Sequence, residues 1–209
     1  MAHKSTNGGR LSHLAPVVPG DPERLLRVII ETPRGSRNKF DYDMELGLFK
    51  LGGVLPAGAV FPFDFGFVPS TTGGDGDPLD VLVLMDEAAF AGCLVETRLL
   101  GVIEAEQTER DGETTRNDRL VAVVAAARNH KEVSTLAQLS ENLLDEIEHF
   151  FVSYNEVKGK KFVPLGRFGP ERARQLIEEG ARRFRAGQRK AAASKPRRQS
   201  AGGAAKKRR

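Results

Sequence analysis

The chain has only one cysteine, Cys93, so no internal disulfide can form and a reducing cytoplasm is its simplest home. No stretch approaches the roughly 18 apolar residues of a membrane span. The opening MAHKSTNGGRLSHLAP also has no apolar run of signal-peptide kind. The expectation is a soluble, cytoplasmic protein that makes no membrane contact. There is no Gly-x-x-x-x-Gly-Lys-Ser/Thr loop and no Gly-x-Ser-x-Gly elbow, so nucleotide-loop ATPases and serine hydrolases are unsupported. The four histidines show no metal-ligand spacing, and His149, on a helical pattern, reads as a packing or hydrogen-bonding residue. Acidic residues are missing altogether from one region: Arg182 to Arg209 holds 12 Lys/Arg and no Asp or Glu. Taking those 12 from the net +4 leaves −8 for the remainder, so an acidic body carries a basic extension. Such a body suits a holder of divalent cations better than a direct binder of nucleic acid.

Three regions follow from composition. Residues 1–22 are rich in Gly, Pro, Ser and His without periodicity and read as a flexible arm. Residues 23–187 carry the folded domain. Residues 188–209 form a basic tail with too little apolar matter to pack, expected to be disordered. Its simplest role is solubility; weak electrostatic contact with nucleic acid or with the protein's own acidic body is the other reading.

Inside the domain, the β-branched run Leu25 to Glu31 predicts a strand. Asn38–Tyr42 and Leu48–Leu51 flank a turn and predict a hairpin. Phenylalanines at 61, 63, 65 and 67 alternate with the period of a strand that buries one face. Leu79 to Met85 is almost continuously apolar, as a central strand is. Residues 94–106 and 119–127 predict two more strands, joined by a polar loop from Thr108 to Asp118. Leu143, Leu144, Ile147, Phe150, Phe151 and Tyr154 fall on one helical stripe. A second helix starts at Pro170 and buries Ala173, Leu176, Ile177 and Phe184. Short strands followed by two C-terminal helices predict an α+β domain, a small β-barrel with helices packed against it.

The chemistry concentrates in Gly73-Gly74-Asp75-Gly76-Asp77-Pro78-Leu79-Asp80. Three carboxylates stand close together, spaced by Gly and Pro rather than by cationic partners. Lys50 is the one Lys or Arg between Glu45 and Arg98. Asp75 and Asp77, two apart in an extended segment, would face the same side. Asp80 opens a buried strand, a costly place for an unpaired charge. A hard cation compensates such a cluster, because carboxylate oxygens are its preferred ligands. Taken alone, the run is more often a solvated acidic turn. A calcium loop fits less well, since it needs Gly at its sixth position, where Asp80 stands.

Asp75-Gly76-Asp77-Pro78-Leu79-Asp80-Val81 resembles the D-x-D-P-[apolar]-D-[apolar] signature of family I soluble inorganic pyrophosphatases. The resemblance extends from about Val28 to Phe162. It includes Val28-Ile29-Ile30-Glu31-Thr32-Pro33, Asn38-Lys39-Phe40-Asp41, Phe61-Pro62-x-x-Phe65-Gly66, Leu120-Val121-Ala122-Val123 and His149-Phe150-Phe151-x-x-Tyr154. It implies a small closed β-barrel, oligonucleotide-fold-like, whose open end holds Mg²⁺ (Mn²⁺ or another divalent ion in its place) and hydrolyses pyrophosphate. It further implies metal binding by Asp75 and Asp80, deprotonation of the attacking water by Asp77, and metal contact through waters by Glu31. Lys39 and Tyr154 would hold phosphate oxygens, and Arg119 stands where the family has a phosphate-binding lysine. Bacterial members are commonly homohexamers, so a homo-oligomer is expected.

The chain departs from the pattern at identifiable places. Gly53 stands at a substrate-binding arginine, Phe65 at a tyrosine and Asn155 at a lysine. The two metal-binding aspartates before Leu120 fall on Asn117 and near Gln107. Asn117 still offers a carbonyl oxygen, and Asp118 could substitute if a bulge turned it to the other face. These losses keep a second reading open, a re-purposed pyrophosphatase fold that senses a phosphate ligand or joins an assembly. A related phosphoanhydride hydrolase with a different substrate is the third.

Overall fold

The computed structural model describes residues 14–193. The strands are β1 (Leu26–Thr32), β2 (Asn38–Asp43), β3 (Leu48–Val54), β4 (Asp64–Phe67), β5 (Asp80–Leu84), β6 (Leu94–Thr108), β7 (Thr114–Arg116), β8 (Arg119–Val124) and β9 (Lys161–Phe168). Helix α1 (Glu141–Val157) precedes β9, and α2 (Pro170–Ala193) ends the described chain.

Strands pair in the order β1-β4-β5-β8-β6, and β6 returns to pair with β1, closing a ring. This is the small barrel expected from the sequence. Closure depends on the length of β6. Its 15 residues let Leu94–Thr97 pair β1, the middle pair β8, and the far end pair β7 and β9. β5 and β8 run parallel, whereas the other pairings are antiparallel. Strands buried on both faces lose the polar alternation of a half-exposed sheet. Accordingly Leu82, Leu84, Val121 and Val123 pack with α1, whereas Val81, Val83, Leu120 and Ala122 pack with α2.

Both helices sit on their predicted stripes. Ser140 caps α1, its side chain accepting from the Leu143 N–H at 3.3 Å, and Leu144, Ile147, Phe151 and Asn155 are buried. His149 lies on the exposed face instead of packing. α2 buries Ala173, Leu176, Ile177, Gly180 and Ala181. Phe184 lies only partly buried beyond that stripe.

Other expectations need amendment. The phenylalanine segment forms a strand only over β4, and it is buried on both faces, with Asp64 1% exposed. β7 lies within the stretch expected to be a polar loop, and β9 in a segment whose pattern predicts no strand. β9 contains Pro164, which lacks an N–H, and it pairs β6 alone, an edge position that tolerates this. The arm is not wholly loose: Val17 bridges Leu26, and the Arg27 N–H donates to Pro16 O at 2.8 Å. α2 continues to Ala193, into the span expected to be tail. Residues 1–13 and 194–209, with the rest of the expected arm and tail, lie outside the described residues. Among the described residues no helix is long and apolar enough to cross a membrane.

Candidate active site

A cavity of about 730 Å³ lies where β5 and β8 begin, walled by the β2–β3 hairpin, the 75–80 loop and the end of α1. The parallel register places Asp80 beside Arg119, and Arg119 Nη1 donates to Asp80 Oδ2 at 2.6 Å. Arg119 is buried, with its guanidinium 4.8 Å from the Phe151 ring centroid and 5.3 Å from that of Phe162. The same Nη1 donates to Asn117 Oδ1.

On the opposite wall, β1 delivers Glu31 and β2 delivers Lys39. The Tyr42 N–H donates to Glu31 Oε1 at 2.7 Å, and Lys39 Nζ stands 3.8 Å from Glu31 Oε2. Lys39 also pairs with Asp41, two residues along and therefore on the same face of β2. Tyr154 reaches the cavity from α1, with its hydroxyl accepting from Lys158 Nζ.

Asp75 and Asp77 both line the cavity, but by a turn rather than by strand alternation. Gly76 has φ +93°, a conformation strained for other residues. The Asp77 N–H donates to Asp75 Oδ1 at 3.1 Å, and the Gly73 N–H donates to Asp77 O at 2.6 Å. Helix α2 braces the loop's entry: the Thr72 N–H donates to Gly180 O at 3.1 Å, and Arg183 Nε donates to Thr72 O at 2.8 Å.

The departures from the family pattern now have locations. Gly53 pairs with Lys39 across the hairpin, and a Cβ there would meet nothing within 4 Å. Phe65 places its ring 5.0 Å from Lys39 Nζ. Gln107 and Asn117 form a neutral amide chain. Asn117 Nδ2 donates to Gln107 Oε1 at 3.2 Å, and Gln107 Nε2 donates to Glu109 Oε1 at 2.6 Å. Asn155 is buried and donates to Phe151 O at 2.9 Å.

Asp118 is the one predicted site residue that does not line this cavity. With Asn117 and Arg119 turned inward, the residue between them faces the other way. Its carboxylate accepts from the Ala105 N–H at 3.0 Å and from Arg116 Nη2 at 2.7 Å. Arg116 and Arg172 also clasp Glu104 on that outer side. Sequence reasoning in turn missed Asp41, Lys158 and Lys160 as cavity residues. The two-residue step from Lys39 to Asp41 and the four-residue step from Tyr154 to Lys158 were the available signals.

The wall carries an excess of acid. Eight carboxylates line it (Glu31, Asp41, Asp43, Asp75, Asp77, Asp80, Glu109 and Glu113) against five Lys or Arg side chains. Burial pushes the Glu31 carboxyl up to about 7, against the opposing pull of Lys39. Although Asp75 is open to the cavity, the protein mass around it and the Asp80 charge push its carboxyl up to about 6. Burial likewise raises Asp80, opposed by Arg119 and Lys39. Burial works against the Lys39 ammonium, but Glu31 and Asp41 outweigh it and hold its pKa high.

Among the described residues no three His, Cys, Asp or Glu side chains already converge as a metal cluster. The donor chemistry nevertheless fits a hard divalent cation. Asp75 and Asp77 have no ion-pair partner among the described residues, and Arg119 engages only one oxygen of Asp80.

The same stretch of chain has known counterparts. The family model described as inorganic pyrophosphatase matches residues 28–185. An inorganic pyrophosphatase of Halalkalibacterium halodurans is 36% identical over 163 residues, covering 78% of this chain and 96% of its own. That of Thermus thermophilus is 39% identical over 146 residues, covering 70% and 80%. Among solved structures, the Thermus thermophilus pyrophosphatase superposes with a TM-score of 0.75 at 35% identity, covering 84% of this chain and 99% of that one. The Neisseria gonorrhoeae pyrophosphatase gives a TM-score of 0.74 at 31% identity, with coverage of 84% and 99%. Family model, relatives and solved structures coincide over the stretch that folds into the ring and its helices, and this chain belongs to the inorganic pyrophosphatase family.

Proposed function

We propose that the cavity binds pyrophosphate together with divalent cations, Mg²⁺ foremost and Mn²⁺ as a substitute, and that it hydrolyses pyrophosphate to two phosphates. The observation that carries this reading is the gathering of Asp75, Asp77, Asp80 and Glu31 with Lys39, Arg119 and Tyr154 around one cavity. A wall with eight carboxylates and five cations repels a polyanion. Substrate entry therefore requires added positive charge. A divalent cation bound there would neutralise phosphoryl oxygens and acidify a coordinated water.

The side chains divide the work. Asp75 and Asp80 would hold the cation, with Glu31 and the Asn117 carbonyl oxygen supporting it from the same cavity wall. Asp77, without an ion-pair partner among the described residues, accepts the proton of the attacking water. Lys39 and Tyr154 hold phosphate oxygens. Arg119 steadies Asp80 and presents positive charge at the cavity wall. Asp118, engaged by Arg116, has no place among the ligands.

Asp80→Asn is the decisive variant, because its carbonyl still accepts from Arg119 while one negative charge is lost. Phosphate release with Mg²⁺ and pyrophosphate should fall at least a hundredfold, and near-wild-type turnover would refute the assignment. The neutral Gln107–Asn117 chain favours a second reading, a member that binds pyrophosphate without turning it over. Wild-type binding without phosphate release would establish that reading instead.

A further inference from the structure

Among the described residues, five cationic side chains line the cavity. Four of them are already neutralised. Lys39 pairs with Glu31 and Asp41, Lys50 with Asp43, Arg119 with Asp80, and Lys160 with Glu109. Lys158 is different. Its ammonium lies 4.1 Å from the Tyr154 ring centroid and donates to the Tyr154 hydroxyl, and it makes no ion pair among the described residues.

The local structure explains why this lysine points inward. Lys158 follows Tyr154 by four residues, so both lie on one face of α1. It is the C-cap residue, and Gly159, at φ +72°, then turns the chain into β9. The Lys158 N–H donates to Asn155 O at 2.9 Å, and Arg110 Nε donates to Lys158 O at 2.7 Å. The backbone of Lys158 is thus tied at two points, and its side chain is half-buried over the tyrosine. A lysine that served only the negative helix end would gain as much by extending into solvent. An aromatic face and a hydroxyl orient an ammonium without cancelling its charge.

We propose that Lys158 is a substrate-binding residue: with Tyr154 it forms a site for a phosphoryl group that no motif of the sequence assigns to it. This rests on the pyrophosphate reading of the cavity. The ammonium donates to phosphoryl oxygens while the Tyr154 hydroxyl keeps it in place, so the two side chains act as a unit. Lys39 and Arg119 must share their charge with carboxylates, whereas Lys158 offers its full charge to the ligand.

The test is calorimetric titration with methylenediphosphonate in Mg²⁺ buffer, alongside phosphate release from pyrophosphate. Lys158→Gln should weaken the diphosphonate about tenfold or more and raise KM more than it lowers kcat. Lys158→Met, which keeps an apolar stem over the Tyr154 ring, should lose as much. Lys158→Arg should recover most of the affinity. Lys161→Gln removes a lysine from the exposed side of the same turn and should change nothing. Unchanged affinity in Lys158→Gln or Lys158→Met, or an equal loss in Lys161→Gln, would overturn the proposal. A lowered melting temperature with affinity intact would also overturn it, by making the lysine merely structural. Wild-type protein that binds the diphosphonate but releases no phosphate refutes hydrolysis alone, and the binding arm still decides on Lys158. Failure of the wild type to bind refutes both.

Discussion

Glu31 shows how much the cavity depends on what it binds. It is 9% exposed, and burial raises its carboxyl from 4.5 to about 7, a shift worth about 3 kcal/mol. The sign follows from proton counting. With a raised folded-state pKa, the native chain holds the proton more tightly than the unfolded chain does. Its contribution is full below about 4.5 and is lost as pH rises towards 7. Metal-free protein should therefore lose melting temperature between pH 5 and 7.5, and Glu31→Gln should flatten that slope. Thermal scans across pH measure it, and an unchanged slope in Glu31→Gln would assign the effect elsewhere. Added Mg²⁺ should restore stability most at the upper end, because the ion competes with protons for the same carboxylates. Asp75, raised to about 6, acts in the same sense. The ordering of these residues was legible in the sequence, since Asp75, Asp77 and Asp80 were singled out by spacing. The raised values were not, because they arise from burial where β1, β5 and the 75–80 loop come together, with Asp80 adding to it and Lys39 opposing it at Glu31.

At the scale of elements, legibility followed how strongly each segment's pattern reflects its surroundings. β5 reads as an apolar run because both its faces are covered, and α1 announces itself by Ser140 and a stripe from Leu143 to Tyr154. β9 hid behind Pro164 and Gly166, and β7 is three polar or charged residues held by the end of β6. No local pattern states that such a segment has a partner strand. The same limit explains Asp118. Its side depended on where β8 begins, and a one-residue difference there reverses inward and outward. The double coverage of β5 makes a quantitative expectation possible. Leu82 is 0% exposed and packs in the cluster with Phe65, Val121 and Phe151. Leu82→Ala removes contacts on the α1 side and leaves a void, so it should cost about 2–5 kcal/mol. Denaturant unfolding should show the lowered midpoint with an unchanged slope. A loss below about 1 kcal/mol would mean the cluster collapses to fill the space.

The whole molecule leaves two matters beyond the cavity: what covers its apolar surface, and what its basic end does. Leu51 and Val54 on β3, which pair with Phe40 and Asn38 and so share one face of the hairpin, are each more than half exposed, apolar surface of the kind that self-association covers. Self-association should bury such residues, and sedimentation at micromolar concentration should show a species well above 22.8 kDa. A single monomeric boundary would refute it. The basic end is a different case, because charge and packing separate along α2. The buried stripe ends at Ala181, and Arg183 anchors the acidic loop through Thr72 O. From Arg185 to Ala193 the helix is exposed. Beyond it the sequence adds Lys195, Arg197, Arg198, Lys206, Lys207, Arg208 and Arg209 with no acidic residue. Truncation after Ala193 keeps the buried stripe of α2 and every described residue that lines the cavity. Turnover should stay within about a factor of two, as surface changes remote from packed features usually cost under ~0.5 kcal/mol. The same seven charges are a source of non-specific affinity for a polyanion. Binding to DNA or RNA should therefore weaken steeply with salt in the full chain and vanish in the truncated one, the contacts being screened over about 8 Å at physiological strength. A shift assay titrated with salt and a phosphate-release assay on both proteins separate the two roles. If truncation cut turnover tenfold, the basic end would have to reach the cavity. It would then be part of the catalytic unit rather than an appendage to it.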